Sequence, residues 1–247
     1  MKRFILALGL ASWFLIPGLS GNARANELRF ALSNWNPFSF HEDGNFDGID
    51  LDVAREIAKR VGFKLHIRPC TFKRCLKEME LGLLDMQSGI ARDPKREVYM
   101  DYVKTPYSAV SVVFHVRKGE AGRLVHYEDL YNLRVGAVVS SHYFDSFNKD
   151  TKLQKFEVTS EGLLLPMLAA GRIDAYVGTN PNAAYDILKR GYKERIELAK
   201  YSPGEEVPIY FAISRKSKYL NLIPSIDRAI QAIHNDGTME KIMDKYR

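Results

Sequence analysis

Apolar residues recur along the chain in two alternating periods. Leu28 to Leu32 is a short apolar run of strand length. From Asp50 onward, Leu51, Ala54, Ile57, Ala58 and Val61 fall on one helical face, while Asp52, Arg55, Glu56, Lys59 and Arg60 cover the other. Asp50 stands where a helix cap is expected, and Gly62 where a helix commonly stops. Phe63, Leu65 and Ile67 then alternate as a second strand, 72–80 reads as a helix, and 84–88 as a third strand. Strand, helix and strand joined by short links predict parallel sheets covered on both faces.

Past Pro106 the pattern changes. Ser108 to Arg117 is an unbroken β-branched and apolar stretch, longer than one small lobe needs, and it is expected to pass from one lobe to the next. A second alternating series follows, with strands near 134–139 and 173–177, and another at 207–213 after the Ser202-Pro203-Gly204 turn. Leu222, Ile226, Ala229, Ile230 and Ile233, then Gly237, Ile242 and Tyr246, form a terminal helical segment expected to return to the first lobe. The predicted fold is α/β with two lobes, each a mainly parallel sheet flanked by helices, joined by two crossing strands. Residues 26–108 and 209–247 make lobe 1, 114–203 make lobe 2, and 109–113 and 204–208 are the hinges. Such an arrangement leaves a cleft at strand ends, where ligands commonly bind.

The first 25 residues stand apart. Lys2 and Arg3 precede an apolar run from Phe4 to Leu19, and Ala23-Arg24-Ala25 is a small-x-small cleavage signal, so 1–25 reads as a secretory signal peptide. Pro17 and Gly18 break the run short of a membrane span of about 20 residues. The mature chain is expected to begin at Asn26 and to be soluble, monomeric and periplasmic. The leader holds three basic residues and no acidic ones, so the remainder carries 33 Lys and Arg against 30 Asp and Glu, near +3. With no basic stripe, zinc spacing or RNA-binding motif, a nucleic-acid partner is not expected. Nor does any phosphate loop, HExxH site or nucleophile elbow point to a cofactor, a metal or catalysis.

Particular segments carry a resemblance. Trp35-Asn36-Pro37-Phe38-Ser39-Phe40, Gly48-Ile49-Asp50-Leu51-Asp52-Val53-Ala54, Arg92-Asp93-Pro94-Lys95-Arg96, Thr105-Pro106-Tyr107, Ala170-Gly171-Arg172-Ile173-Asp174-Ala175 and the ending Asp236-Gly237-Thr238-Met239-Glu240-Lys241-Ile242 resemble the family 3 extracellular solute-binding proteins, the polar amino-acid binding components of ABC importers. The resemblance extends over essentially the whole mature chain. It implies a type II periplasmic binding protein fold, a small carboxylate-bearing solute held between the lobes, and delivery to a membrane permease.

The site residues follow from chemistry and resemblance together. Asp93 and Pro94 make a good helix start, placing Arg96 in the first turn, where its guanidinium can reach the cleft and grip a carboxylate bidentately. The resemblance implies the same role for Arg96. The link Ser88-Gly89-Ile90-Ala91 offers the Gly89 carbonyl and the Ala91 amide, Ala91 standing where the family commonly has a hydroxyl. Ser141 resembles the second-lobe hydroxyl of the carboxylate site, and Ser140-Ser141-His142 is expected to open a helix running through Phe147. Trp35 and Phe38 are expected to wall the cleft, with His142 and Thr179 as further contacts. Thr179 stands in the region where amino-acid binders carry an acid for the solute ammonium; either Glu161 or Glu206 supplies that acid instead, or the solute is not an ordinary α-amino acid. Asp47 and Asp50 read as turn and cap residues. A dehydratase-type enzyme and a sensing module that docks on a receptor are the alternatives on the same scaffold. Finally, if Thr71 caps a helix, Cys70 and Cys75 occupy the two positions of a hydrophobic staple, close enough for a disulfide in an oxidising compartment.

Overall fold

The computed structural model describes residues 27–42 and 44–246; the leader expected at 1–25 lies outside them. In chain order the elements are β1 (Glu27–Leu32), β2 (Phe40–Glu42), β3 (Asn45–Asp47), α1 (Ile49–Val61), β4 (Lys64–Pro69), α2 (Phe72–Leu81), β5 (Met86–Ile90), α3 (Pro94–Glu97), β6 (Met100–Tyr102) and β7 (Ser108–Arg117). There follow β8 (Arg134–Val138), α4 (Asp145–Lys149), β9 (Gln154–Val158), α5 (Leu164–Ala169), β10 (Ala175–Asn180), α6 (Asn182–Lys189), β11 (Ile196–Leu198), β12 (Glu206–Ser214), α7 (Ile223–Asn235) and α8 (Thr238–Asp244).

The main sheet runs β4-β1-β5-β12-β7-β10-β8-β9, with β6 also on β12 and β11 also on β7. Pairing is parallel on both flanks, β1 with β4 and β5, β8 with β9 and β10. It is antiparallel wherever β7 and β12 take part. The sheet is therefore mixed: two long strands must run in opposite senses to carry the chain out and back. Ser108 to Ser111 of β7 face Ile209 to Glu206 of β12. Beyond that pairing the strands part, β7 joining β10 and β12 joining β5 and β6.

Two of the four apolar clusters among the described residues sit on either side of that pair. One gathers Leu28, Phe30, Leu51, Ile57, Phe211, Ile230 and Ile242, so that α7 and α8 pack with α1. The other gathers Phe114, Val135, Phe147 and Val177. The helix read from the 51–61 stripe buries the expected face, and Gly62 closes it at φ 88°, its amide bonding the Ala58 carbonyl at 2.9 Å. Its start differs from the expectation. Gly48, not Asp50, occupies the cap, and the amides of Ile49 and Asp50 are taken by the carbonyls of Pro37 and Phe38 at 3.2 and 2.7 Å. Asp50 is thereby drawn inside the first turn and buried.

Thr71 caps α2, and Cys70 and Cys75 are joined by a disulfide with their Cα atoms 5.5 Å apart. The staple geometry accounts for the approach, since the residue before the cap and the fourth helical residue lie side by side. Reducing the bridge should lower the unfolding free energy by about 2 kcal/mol, the loop being short. Urea denaturation with and without reductant measures this; coincident curves would mean that helix packing alone supplies the constraint.

Candidate functional site

A cavity of about 420 Å³ opens between the two cores, lined from one side by the ends of β1 and β5 and from the other by the 138–143 and 159–161 segments. Arg96 enters it from α3. The Asp93 carboxylate accepts the Lys95 amide at 2.8 Å, Pro94 fills the first helical position, and this short turn aims the Arg96 side chain inward. Arg96 as a whole is 5% exposed. Its guanidinium donates to the Ala91 carbonyl at 2.9 Å and, across the cleft, to the Ser140 carbonyl at 2.8 Å, with Phe72 stacked 5.5 Å from its centre. Among the described residues it forms no ion pair. A buried cation held by neutral carbonyls, with two of five N–H groups so engaged, is under-compensated and suited to a carboxylate.

The opposite side is acidic. Glu161, in the turn before α5, is buried and lines the cavity; the Thr179 amide donates to it at 3.4 Å. Burial pushes its carboxyl up to about 8, and the nearby Asp186 charge adds to the rise. Of the two acids expected from sequence, Glu161 is brought in and Glu206 is not. Glu206 is exposed on β12 and borders a separate, smaller depression, because side chains alternate along that strand and its cavity neighbours are Val207 and Ile209.

Asp50 is a second cavity acid that its reading as a cap missed. Its oxygens accept from Tyr107 Oη and, at 2.8 Å, from Ser88 Oγ, and burial pushes its carboxyl up to about 7. The local signal, an aspartate ahead of an apolar helix, could not reveal this, since Tyr107 lies 57 positions away. Phe72 was likewise unforeseen as a wall.

The aromatic expectations divide. Trp35 lines the cavity, whereas Phe38 is fully buried behind it, the rings stacked at 4.7 Å and 20°. Phe38 is therefore corrected from a solute contact to the layer that backs Trp35. Gly89, at φ 66°, lies where a Cβ would sit 3.1 Å from the Trp35 ring and 3.2 Å from Asp50 Oδ2, so the strand end needs glycine to come this close. Ala91 lines the cavity, and its carbonyl also accepts from Tyr102 Oη at 3.0 Å.

Ser141, His142 and Thr179 all line the cavity. The helix expected to open at Ser141 instead begins at Asp145, after an extended stretch, and the Ser141 amide bonds the Val138 carbonyl at 3.1 Å. The preceding turn, with Ser140 at φ 65°, explains the delay, for it directs the Ser140 carbonyl toward Arg96. No helix dipole acts at Ser141. His142 sits at the rim, its Nδ1 3.4 Å from Asp93 Oδ2 across the cleft. Thr179 Oγ1 donates to Asn182 Oδ1 at 3.2 Å.

Comparison with known proteins places this geometry in context. The family model of bacterial extracellular solute-binding proteins, family 3, matches residues 28–247. The probable amino-acid-binding protein YxeM of Bacillus subtilis (strain 168) is 28% identical over 216 residues, covering 85% of this chain and 79% of that one. The L-cystine-binding protein TcyJ of Escherichia coli (strain K12) is 23% identical over 215 residues, covering 85% and 78%. Among solved structures, the amino acid ABC transporter substrate-binding protein AbpA from Streptococcus pneumoniae, bound to L-arginine, superposes with a TM-score of 0.77 over 90% of this chain and 94% of that one, at 23% identity. At that identity the likeness shows a shared fold.

Proposed function

The chain belongs to the bacterial extracellular solute-binding proteins, family 3, and from that premise we propose that it captures an α-amino acid, or a close zwitterionic relative, between Arg96 and Glu161 and delivers it to an ABC transporter permease. The observation that carries this reading is the pairing, in one cavity, of a buried cation and a buried carboxyl that, among the described residues, have no carboxylate and no cation partner respectively. A zwitterion satisfies both at once, where either charge alone would leave the other group uncompensated. Trp35 and Phe72 supply apolar walls, and Ser141 and Thr179 supply hydroxyls at the carboxylate and ammonium ends respectively.

The lobes on this reading are residues 26–108 with 209–247, and 114–203, closing about 109–113 and 204–208. Relatives that bind amino acids and cystine support the solute class. The Cys70–Cys75 bridge fits an exported, oxidising compartment, and we assign the protein to the periplasm after removal of residues 1–25.

One observation favours a second reading. A carboxyl kept protonated near neutral pH inside a cleft, as Glu161 is, is also what a general acid requires. Equilibrium dialysis of the protein against a mixture of the twenty amino acids, followed by proton NMR of what is retained, separates the two. Retention of one or a few amino acids, recovered unchanged, supports binding; a new compound in the bath supports an enzyme, and no retention rejects the amino-acid assignment.

A further inference from the structure

We propose that Asn182 and Asp186, one turn apart on α6, clasp the Trp35–Asn36 segment across the cleft, Asn182 through the segment's backbone carbonyls and Asp186 through the Asn36 side chain, and hold the cleft closed through protein contacts alone, which makes them positioning residues for solute capture. The proposal rests on the binding reading above, but its contacts involve no solute atom. Asn182 Nδ2 donates to the Asn36 carbonyl at 3.0 Å and to the Trp35 carbonyl at 3.4 Å. Asn36 Nδ2 returns a bond to Asp186 Oδ1 at 3.1 Å. These join the loop after β1, which packs on the core containing Phe38, to a helix that packs on the opposite side.

Burial separates this cluster from a chance surface contact. Asn36, Asn182 and Asp186 are 6%, 2% and 7% exposed. Exposed amides exchange partners with water at little cost, whereas buried ones that part must be rehydrated together or left unsatisfied. Both ends are also held. The Asn182 Oδ1 faces Thr179 Oγ1, and Asp186 Oδ1 lies 3.5 Å from Arg190 Nε. On the loop side, Trp35 and Ser39 exchange backbone bonds at 2.6 and 3.0 Å, which brace the Trp35 carbonyl, and its ring is stacked on Phe38. The clasp thus fixes the backbone of the residue whose ring walls the cavity. It is a second set of contacts across the cleft, beside the Arg96–Ser140 bond.

Trp35 is the sole tryptophan after residue 25, so its fluorescence reports on the cleft in the chain from Asn26 onward, which contains every described residue. The test is acrylamide quenching of that chain, with its small-angle X-ray scattering radius, in the absence of solute. Asn182→Asp keeps the acceptor toward Thr179 and removes both donors. It should shift the open–closed equilibrium by about tenfold or more, seen as stronger quenching and a larger radius. Asp186→Ala should act likewise, whereas Asp186→Asn, which retains an acceptor for Asn36, should stay near the unsubstituted protein. If Asn182→Asp does not melt cooperatively, Asn182→Ala and the Asp186 pair decide. Equal quenching and equal radius in all folded variants would overturn the clasp. These readouts need no solute, so they stand even if the amino-acid assignment fails; conversely, a working clasp with no amino acid retained would count against that assignment alone.

Discussion

Replacing Arg96 by alanine should weaken solute binding by about 2 to 5 kcal/mol, roughly thirty-fold to several thousand-fold in Kd. The size follows from what the side chain does. Its charge is buried beside Ala91 and Ser140, and no carboxylate neutralises it among the described residues. On the proposed reading a solute carboxylate gains charge-assisted bonds there, and in the alanine variant it would enter the same low-dielectric space with no counter-charge. Arg96 also ties the two sides of the cleft through the Ser140 carbonyl at 2.8 Å, so part of the loss comes from looser closure. Arg96→Lys separates these effects: it keeps a charge but loses the planar fork, and it should recover only part of the affinity. Calorimetry on the three proteins measures the series. Unaltered binding in the alanine variant would defeat this recognition mechanism even if the transport role stands.

The affinity for an ammonium-bearing solute should rise with pH, by up to about fifty-fold between pH 6 and 8, before falling as the solute amine itself deprotonates. Glu161 is the reason. Burial, reinforced by Asp186, pushes its carboxyl from 4.5 to about 8, so the free protein is protonated at neutral pH while the ammonium complex needs the carboxylate. Binding therefore expels a proton, and raising the pH removes that cost. The titratable groups that bear on Glu161 are Asp186 on α6, Tyr143 before α4 and Tyr176 on β10, while the Thr179 amide and the Trp35 side chain oppose the rise by hydrogen bonding to it. Both tyrosines are held above their usual range by burial and stay neutral throughout. Asp50, pushed to about 7 on the other wall, titrates within the same window, and Asp50→Asn isolates its share. Glu161→Gln should flatten the profile and weaken binding at pH 8. A profile that keeps its slope in the glutamine variant would assign the ammonium to another acid.

The same raised carboxyls bear on folding in the opposite sense. Each binds its proton more tightly folded than unfolded, so stability without solute should fall as pH rises from about 4 toward 8.

What could be read from sequence was local. The 51–61 stripe, the stop at Gly62 and the β-branched run from Ser108 to Arg117 announce their elements because neighbours within a turn or a strand decide them. Asp93 and Arg96 were legible for the same reason, the cap and the arginine being three residues apart. The disulfide belongs with them, since Cys70 and Cys75 meet through the geometry of one helix start. Asp50 was misread because the carbonyls that displace it from the cap belong to Pro37 and Phe38, across a hairpin. Glu161 could be named only as one of two acids, for its place depends on how α5 and β10 pack, and no short-range pattern encodes that. The Asn36, Asn182 and Asp186 cluster was invisible, its partners lying 146 and 150 positions apart. Asn36 sits in the loop after β1 while Asn182 and Asp186 sit on α6, and only the tertiary packing of that loop against that helix brings them together.

The central claim, that one zwitterion bridges Arg96 and Glu161, is tested most directly by comparing three forms of the retained amino acid in one calorimetric series: the free amino acid, its carboxamide and its N-acetyl derivative. The carboxamide removes the charge meant for Arg96, and the N-acetyl form removes the charge meant for Glu161. Each derivative should bind at least about tenfold more weakly than the parent, the loss of one charge-assisted contact. A derivative that binds as tightly as the free amino acid would show that the corresponding residue does not hold that end, and the pairing of cation and acid across this cavity would have to be abandoned.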